Sequence, residues 1–210
     1  MKIAIIGAGN VGGTLGRRWA RNGHTVIFSS RNPQSEEMKR VLAEAGPNAS
    51  AASVRDAAAQ SEVVTLAAPW QAAKSAIQSA GDLSGRILID TTNPLKKDLS
   101  GMEVGGDTSA AEQVAAWAKG AKVVKCFNNV GFNVMADPRF DGKSALMFYC
   151  GDDAAAKDVV RKLAGELGFD PCDVGGLEKA RIIEPISLLW ITLSIELKTR
   201  EFAFQIIRRG

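Results

Sequence analysis

The sequence predicts an α/β protein with a doubly wound, mainly parallel sheet, and three observations support this fold class. Short β-branched runs alternate with helical patterns along the chain, which is typical of βαβ units. A glycine-rich turn directly follows the first of these runs. No repeat, low-complexity tract or flexible linker divides the 210 residues, so we expect one domain over residues 1–210, with a C-terminal helical segment over about residues 177–210.

The first βαβ unit is clear from local patterns. The run KIAIIG is a buried parallel strand that ends in glycine, and TVIF is the second strand. Between them, Val11, Leu15 and Trp19 recur at four-residue spacing in a helix that Gly23 ends. Ser35 then caps a second helix, which begins with two acidic residues and ends at Gly46.

The alternation continues to the C-terminus. Ser53 and Ser109 each stand three residues before an acid, as in a capping box, and therefore start helices. WQAAKSAIQSA and residues 152–168 are also helical, and a last helical stretch begins near Leu177. The strands in this part are EVVTLAA, RILIDTT, AKVVKCF, ALMFYCG and FDPCDVG.

The glycine turn predicts a dinucleotide site. Gly7, Gly9 and Gly12 have the G-x-G-x-x-G spacing immediately after a strand and at the start of a helix, where the pattern is specific. Gly7 permits the turn, Gly9 admits a pyrophosphate and Gly12 allows the helix to pack on the strand. The helix N-terminus then faces the phosphates. We expect an NAD(P)-binding Rossmann fold whose phosphate-binding residues are Gly7, Ala8, Gly9, Asn10, Val11 and Gly12.

The end of the second strand indicates which dinucleotide binds. An NAD site commonly has a carboxylate here for the ribose hydroxyl, but this chain has Ser29, Ser30, Arg31 and Asn32. A carboxylate would repel a 2′-phosphate, whereas hydroxyls can donate hydrogen bonds to it and Arg31 can bind its oxygens. These four residues therefore predict NADP(H). An exposed turn without a ligand is the alternative.

The turns that follow three later strands should line the rest of the crevice. They are small, apolar and rich in amides, and they suit a flat ring. The three turns are AAPW, TTNP and CFNNVGFN, and the predicted cofactor-binding residues in the first two are Ala67, Ala68, Pro69, Trp70, Asn93 and Pro94. Trp70 could stack on a ring, or it could pack under the helix that follows it.

Candidate acid–base groups are few. His24, the only histidine, lies at the start of the second strand, far from this crevice, and we expect it to be structural. Lys96, Lys97 and Lys125 lie nearer, but none stands out as a proton donor or acceptor. The residue pattern contains no metal-ligand cluster. Hydride transfer between two redox rings requires less of the protein, because the cofactors carry the chemistry.

The composition limits the kinds of partner and the cellular compartment that we expect. A net charge of +3 without a basic run argues against a nucleic-acid or membrane surface. Three separated cysteines fit reduced thiols. The N-terminus leaves no room for a signal peptide, and the longest apolar run contains charges and a proline. We therefore expect a cytoplasmic protein.

Along nearly its whole length the chain resembles the reductases that use NADPH and the deazaflavin coenzyme F-420 (F420). The motifs that carry the resemblance are IIGAGNVGG, SSR, VVTLAAPWQAA, TSAAEQVA, VVKCFNNV, CGDDAAAK and ARIIEPISLLW. The reductase domains of the six-transmembrane metalloreductases share the same outline. Two positions depart from the pattern: Ala8 stands where some F420 reductases have threonine, and Asn128 stands where several have histidine.

The resemblance implies particular roles for residues of this chain. Ser30 and Arg31 would hold the 2′-phosphate, and Pro69 and Trp70 would lie beside the nicotinamide half. The second coenzyme would bind near residues 128–130 (Asn128, Asn129 and Val130) and the C-terminal helices. Hydride would pass directly between stacked rings without a catalytic side chain. The resemblance also implies a homodimer, for which the run SLLWITLSI would suit a helical contact.

The sequence therefore predicts an NADP(H)-dependent oxidoreductase that exchanges hydride with F420 or with a flavin such as FMN or FAD. Reduction of a small imine or ketone is the alternative reaction. A non-catalytic NADP(H)-binding redox sensor is the alternative from a different class, since intact glycines without an evident proton-transfer residue are compatible with it.

Overall fold

A computed structural model describes residues 1–209, which form one eight-stranded sheet with helices on both faces and a separate short hairpin. The strands are β1 (Lys2–Ile6), β2 (Thr25–Ser29), β3 (Ala49–Ala52), β4 (Val63–Leu66), β5 (Ile87–Asp90), β6 (Lys122–Lys125), β7 (Arg139–Phe140), β8 (Lys143–Ser144), β9 (Leu146–Gly151) and β10 (Asp170–Asp173). The helices are α1 (Asn10–Arg21), α2 (Glu36–Ala45), α3 (Val54–Ala59), α4 (Trp70–Ala80), α5 (Ala110–Trp117), α6 (Phe132–Ala136), α7 (Ala154–Glu166) and α8 (Ala180–Glu196), the last preceded by a 3-10 turn (Leu177–Lys179).

The sheet order confirms the predicted doubly wound class. From one edge to the other it is β10-β9-β6-β5-β4-β1-β2-β3. Strands β1 to β6 are mutually parallel, β9 runs antiparallel to β6, and β10 runs parallel to β9. The chain moves outward from β1 to β3 and then crosses to β4, so the strand order reverses between β1 and β4. Ligands of open α/β sheets bind at this switch point, outside the carboxyl ends of the strands.

Two apolar layers hold the helices on the sheet. On one face, residues of α1, including Leu15 and Trp19, pack against β1, β2 and the turn after β6. On the other face, α3, α4 and α5 pack against the alternate residues of the same strands. Gly16 brings α1 close to β2, because a Cβ at this position would lie 2.5 Å from the ring of Phe28.

The predicted helix starts are confirmed in detail. Each of three serine hydroxyls accepts a hydrogen bond from the amide three residues later, as an N-cap requires. The pairs are Ser35 with Met38, Ser53 with Asp56, and Ser109 with Glu112. Gly23 and Gly46 follow the ends of α1 and α2 with φ of 91° and 88°, which confirms their role as helix stops.

Some elements are absent from the sequence prediction. Strand β3 has the sequence ASAA, which has low strand propensity, and it forms because β2 supplies a parallel partner. Helix α6 and the β7–β8 hairpin are each too short to give a periodic pattern. The expected C-terminal helical segment ends at Glu196, and residues 200–209 have no regular secondary structure.

The C-terminal segment leaves the helix because its aromatic side chains and backbone find partners elsewhere. The Trp190 indole N–H donates to the Phe202 carbonyl (3.1 Å), and the two rings stack with centroids 5.2 Å apart. The amide of Leu146 at the start of β9 donates to the carbonyl of Phe204 (2.9 Å). The segment therefore folds back over α8 and the β9 end of the sheet.

Candidate functional site

The glycine turn lies at the switch point and is shaped by steric contact. Gly7 has φ of 100°, and a Cβ there would lie 2.7 Å from the carbonyl oxygen of Ala67, at the end of β4. A Cβ on Gly12 would collide with the carbonyl oxygen of Gly7. Gly9 differs, because a Cβ there would meet no protein atom within 4 Å. Two glycines thus build the turn, and the third keeps space open in front of α1.

A cavity of about 530 Å³ joins this turn to the end of β2. Its lining comes from the glycine turn, the β2 end, α2 and α4. The predicted residues among the lining are Gly7, Ala8, Gly9, Ser29, Ser30, Arg31 and Ala68. The sequence prediction missed the residues that α2 and α4 contribute: Glu37, Met38, Val41, Ala72, Ser75, Ala76 and Ser79. Small residues at every third or fourth position of α4 were the available signal.

The turn after β2 is held by an internal hydrogen bond, and the side-chain donors of Ser30 and Arg31 are available to a ligand. The Ser30 hydroxyl accepts the amide of Asn32 (3.1 Å), which leaves its own proton available. Arg31 is exposed, and among residues 1–209 no carboxylate lies within salt-bridge distance of it. Glu37, in the first turn of α2, is the one carboxylate of the cavity lining. Hydroxyls, a free guanidinium and the glycine turn thus share one cavity.

Nine other predicted cofactor residues are not on the lining of this cavity. Asn10 and Val11 are in the first turn of α1, and Pro69 precedes α4 as its N-cap residue. The Trp70 ring stacks on Trp117 of α5, with centroids 5.3 Å apart. That contact favours the packing interpretation of Trp70 over a ring-stacking one. The full set outside the lining is Asn10, Val11, Gly12, Asn32, Ala67, Pro69, Trp70, Asn93 and Pro94.

Two asparagine side chains lie in the turns where β5 and β6 end. Asn93 donates its Nδ2–H to the main-chain carbonyl of Asn128 (3.3 Å), and Asn128 donates its own Nδ2–H to the main-chain carbonyl of Ile183 (3.0 Å). These contacts fix both amides and leave both Oδ1 atoms buried, without a hydrogen-bond partner among residues 1–209. A buried acceptor without a partner costs about 1–3 kcal/mol. Both unsatisfied acceptors thus lie in the turns at the carboxyl ends of β5 and β6, the edge of the sheet where ligands of such folds bind.

The other two residues of this turn are enclosed. Asn129 donates to the Leu146 carbonyl (2.9 Å) and accepts the Phe148 amide (3.3 Å), so its side chain joins the β6 turn to β9. Val130 is buried in the core. Phe127 holds the turn in a left-handed conformation with φ of 59°, which a bulky residue adopts only under constraint.

Lys125, Cys126 and Cys150, which lie near the crevice, each keep one protonation state at neutral pH. Burial alone would lower the pKa of Lys125, but the attraction of Asp90 and Glu184 outweighs it and raises the pKa. Lys125 therefore stays protonated at neutral pH and is not a base. Burial raises the pKa of Cys126 and raises that of Cys150 to about 12, so both remain thiols.

His24 is buried at the start of β2 and contacts Glu166 (2.7 Å), which confirms a structural position. Within residues 1–209, no cluster of three or more histidine, cysteine or acidic side chains could hold a metal ion. In the same range, no helix is both long and apolar enough to cross a membrane.

A glycine turn at the switch point of a doubly wound sheet, with an open space before the first helix, defines the NAD(P)-binding Rossmann class. Comparison with known proteins identifies the family within this class. A sequence model described as "NADP oxidoreductase coenzyme F420-dependent" matches residues 2–94. An F420-dependent NADP reductase of Methanocaldococcus jannaschii is 35% identical, over 95% of each chain. The chain belongs to this family and is an NADP-dependent oxidoreductase.

Other comparisons agree. A solved structure from Arthrobacter sp. FB24, described as a candidate F420-dependent NADP reductase, is 34% identical with a TM-score of 0.90, over 99% of this chain and 100% of that one. Metalloreductase STEAP3 of Rattus norvegicus is 33% identical over 89% of this chain and 36% of its own length. A reductive aminase of Aspergillus terreus, 19% identical with a TM-score of 0.69 over 94% of this chain and 62% of that one, shares the fold alone.

Proposed function

We propose that the protein exchanges hydride between NADP(H) and the ring of F420 or a flavin. The observation that carries the proposal is the single cavity that joins the glycine turn to Ser29, Ser30 and Arg31. Such a cavity suits a dinucleotide with a 2′-phosphate, and relatives at 31–35% identity are named F420-dependent NADP reductases. When bound, the reduced nicotinamide supplies a hydride, which carries two electrons, and the one proton that completes reduction of the acceptor comes from solvent.

At the adenosine end, each group of the chain has a proposed task. The first-turn amides of α1 and the open space at Gly9 receive the pyrophosphate. Ser30 donates its hydroxyl proton to the 2′-phosphate, and Arg31 adds charge-assisted hydrogen bonds. Glu37 lies in the same cavity and opposes this attraction. For NADP(H) to be preferred over NAD(H), the attraction of Arg31 for the 2′-phosphate must therefore exceed the repulsion from Glu37.

At the ring end, we propose that the turns containing Asn93 and Asn128 receive the nicotinamide and the acceptor ring. The free Oδ1 atoms of this pair support the proposal, because the nicotinamide carboxamide and the imide edge of a flavin or deazaflavin both present N–H donors. The chain's own task is then to align two rings and exclude water, for which no side-chain acid or base is required.

Rapid mixing of the protein with NADPH and each of F420, FMN and FAD tests the proposal. We expect NADPH absorbance to be lost with at least one of these acceptors, in proportion to the protein added. NADPH binding without oxidation by any ring acceptor would instead support the redox sensor. Oxidation only by small imines or ketones would support the alternative reductase.

We further propose that the protein is a cytoplasmic homodimer in which each chain forms a single domain. Helix α8 exposes Ile182 (62%), Leu189 (50%) and Ile195 (60%) to solvent, and apolar residues of this size suit a contact with a second copy. The three cysteines are unpaired, as expected in a reducing compartment. Both apolar layers pack on the same sheet, which supports a single unit.

A further inference from the structure

A cluster of three charged side chains lies buried behind the ends of β5 and β6. We call Asp90, Lys125 and Glu184 the buried triad; their exposed fractions are 0%, 0% and 1%. The Lys125 ammonium lies 2.9 Å from Asp90 Oδ2 and 3.0 Å from Glu184 Oε1. Glu184 is the only one of the three that comes from α8, a helix that is otherwise mainly apolar.

The hydrogen bonds of the triad are complete. Lys125 directs its third proton to the Thr92 carbonyl (2.5 Å). The two oxygens of Glu184 accept the amides of Ala110 (2.9 Å) and Ala111 (3.0 Å), which begin α5. Two carboxylates and one ammonium leave one negative charge, and the positive end of the α5 dipole lies beside it. Glu184 therefore ties α8 to both β6 and α5.

The triad is connected to the ring end of the site by adjacent residues. Asp90 accepts the amide (2.9 Å) and hydroxyl (2.7 Å) of Thr92, which directly precedes Asn93. Lys125 is three residues before Asn128. The main-chain carbonyl of Ile183, the neighbour of Glu184, accepts a hydrogen bond from the side-chain Nδ2 of Asn128 (3.0 Å). The Asn93 turn is thus linked to Glu184 through Asp90 and Lys125, and the Asn128 turn through Lys125 and the main chain of Ile183.

Stability alone is a weak explanation for such a cluster. Buried ion pairs are costly to desolvate, and replacing them with well-packed apolar residues is often neutral or stabilising. A fully bonded network does, however, fix the geometry of what it touches. We propose that Glu184 is a positioning residue for hydride exchange, which it serves by holding the Asn93–Asn128 pair in register with the acceptor ring; this inference rests on the function proposed above.

Glu184→Gln tests the proposal, with Arg181→Gln as the matched control. Arg181 lies on the same helix and also bonds α5, through an exposed ion pair with Glu112 (2.6 Å), but it does not touch the triad. We expect E184Q to keep the dissociation constant of NADPH within about twofold of wild type. Its single-turnover rate of hydride transfer to the ring acceptor should fall at least tenfold, with a larger isotope effect for NADPH deuterated at C4. R181Q should leave both quantities unchanged.

A second readout uses the ligand-free protein. The side-chain amide signals of Asn93 and Asn128 in ¹⁵N NMR should shift or broaden in E184Q but not in R181Q. Equal behaviour of the two variants, or wild-type transfer rates in E184Q, would overturn the positioning role. Failure of the wild type itself to reduce any ring acceptor would count against the proposed function instead. Should E184Q not fold, Glu184→Asp keeps the charge but is one methylene too short for all its partners, and the same two readouts apply.

Discussion

Arg31 is the residue on which the choice of dinucleotide depends. Its guanidinium is exposed in the turn after β2 and lines the cavity without a carboxylate partner among residues 1–209. A 2′-phosphate gives it a partner, whereas a 2′-hydroxyl gives it almost none. The charge of Arg31 is therefore available for discrimination and is not needed to stabilise the fold.

Arg31→Ala should weaken NADPH binding by about 1.5–3 kcal/mol, since a charge-assisted contact is lost. This corresponds to a roughly ten- to hundredfold rise in the dissociation constant. Titration of the protein's fluorescence with NADPH and with NADH measures both constants, and the NADH constant should be nearly unchanged. Glu37→Gln removes the opposite charge from the same cavity and should shift NADPH binding in the opposite direction. An equal loss for both dinucleotides would show that Arg31 does not contact the phosphate.

Residue-level prediction from the sequence succeeds where a role follows from local spacing. The glycine turn and Arg31 are found by counting from the first strand, because the βαβ unit fixes their positions relative to the switch point. Glu184 is not found in this way. Its partner Lys125 and the second carboxylate of the triad, Asp90, are 59 and 94 positions earlier in the chain, and only the tertiary fold brings the three together. An acid inside the apolar part of α8 was the only local signal.

The β1–α1 connection contains two kinds of glycine. Gly12 is required by the protein itself, because a side chain there would strike the carbonyl of Gly7. Gly9 has φ of −72°, which any residue tolerates, and a Cβ there would meet no protein atom within 4 Å. A methyl group at these two positions should therefore have different consequences.

Gly9→Ala should fold with a stability within about 1 kcal/mol of wild type, but it should bind NADPH at least about tenfold more weakly, since the methyl group occupies space meant for the pyrophosphate. Gly12→Ala should lose about 1–3 kcal/mol or more of unfolding free energy through overpacking. Urea unfolding and NADPH titration of both variants provide the measurements. Normal NADPH affinity in G9A would place the pyrophosphate elsewhere.

The elements that the sequence predicts are those with their own local signals. Helix α4 is found with its observed bounds, Trp70–Ala80, because its apolar spacing and the strand before it agree. Strand β3 is missed because its residues, Ala49–Ala52, form a strand only against β2. The antiparallel direction of β9 is also set by pairing with β6, and neither run of residues encodes it. Local propensity is overridden in both cases by partners distant in the chain.

The β9–β10 extension and the C-terminal segment enclose one end of the sheet. Helix α8 covers the turn after β6, and the segment that follows it returns over Trp190 to pair with Leu146. One face of α8 is used in these contacts through Ile183, Glu184 and Trp190, which are buried. The opposite face carries apolar side chains that the chain itself leaves uncovered.

That uncovered face makes an oligomer prediction possible. Ile182 and Leu189 are seven positions apart, so they lie on the same side of the helix, and both are at least half exposed. In a two-fold symmetric dimer this patch on one subunit contacts the same patch on the other, so a substitution changes both sides of the contact. Leu189→Glu should place two like charges across the contact and remove apolar burial from both subunits at once.

We therefore expect wild-type protein to run as a dimer and L189E as a monomer in size-exclusion chromatography with light scattering. The variant's circular dichroism should match that of the wild type, since Leu189 is not part of either apolar layer. Leu99→Glu is the matched control, because Leu99 is also an exposed leucine but lies in the loop after β5. A monomeric wild type, or a dimer that persists in L189E, would show that this face of α8 does not join two copies.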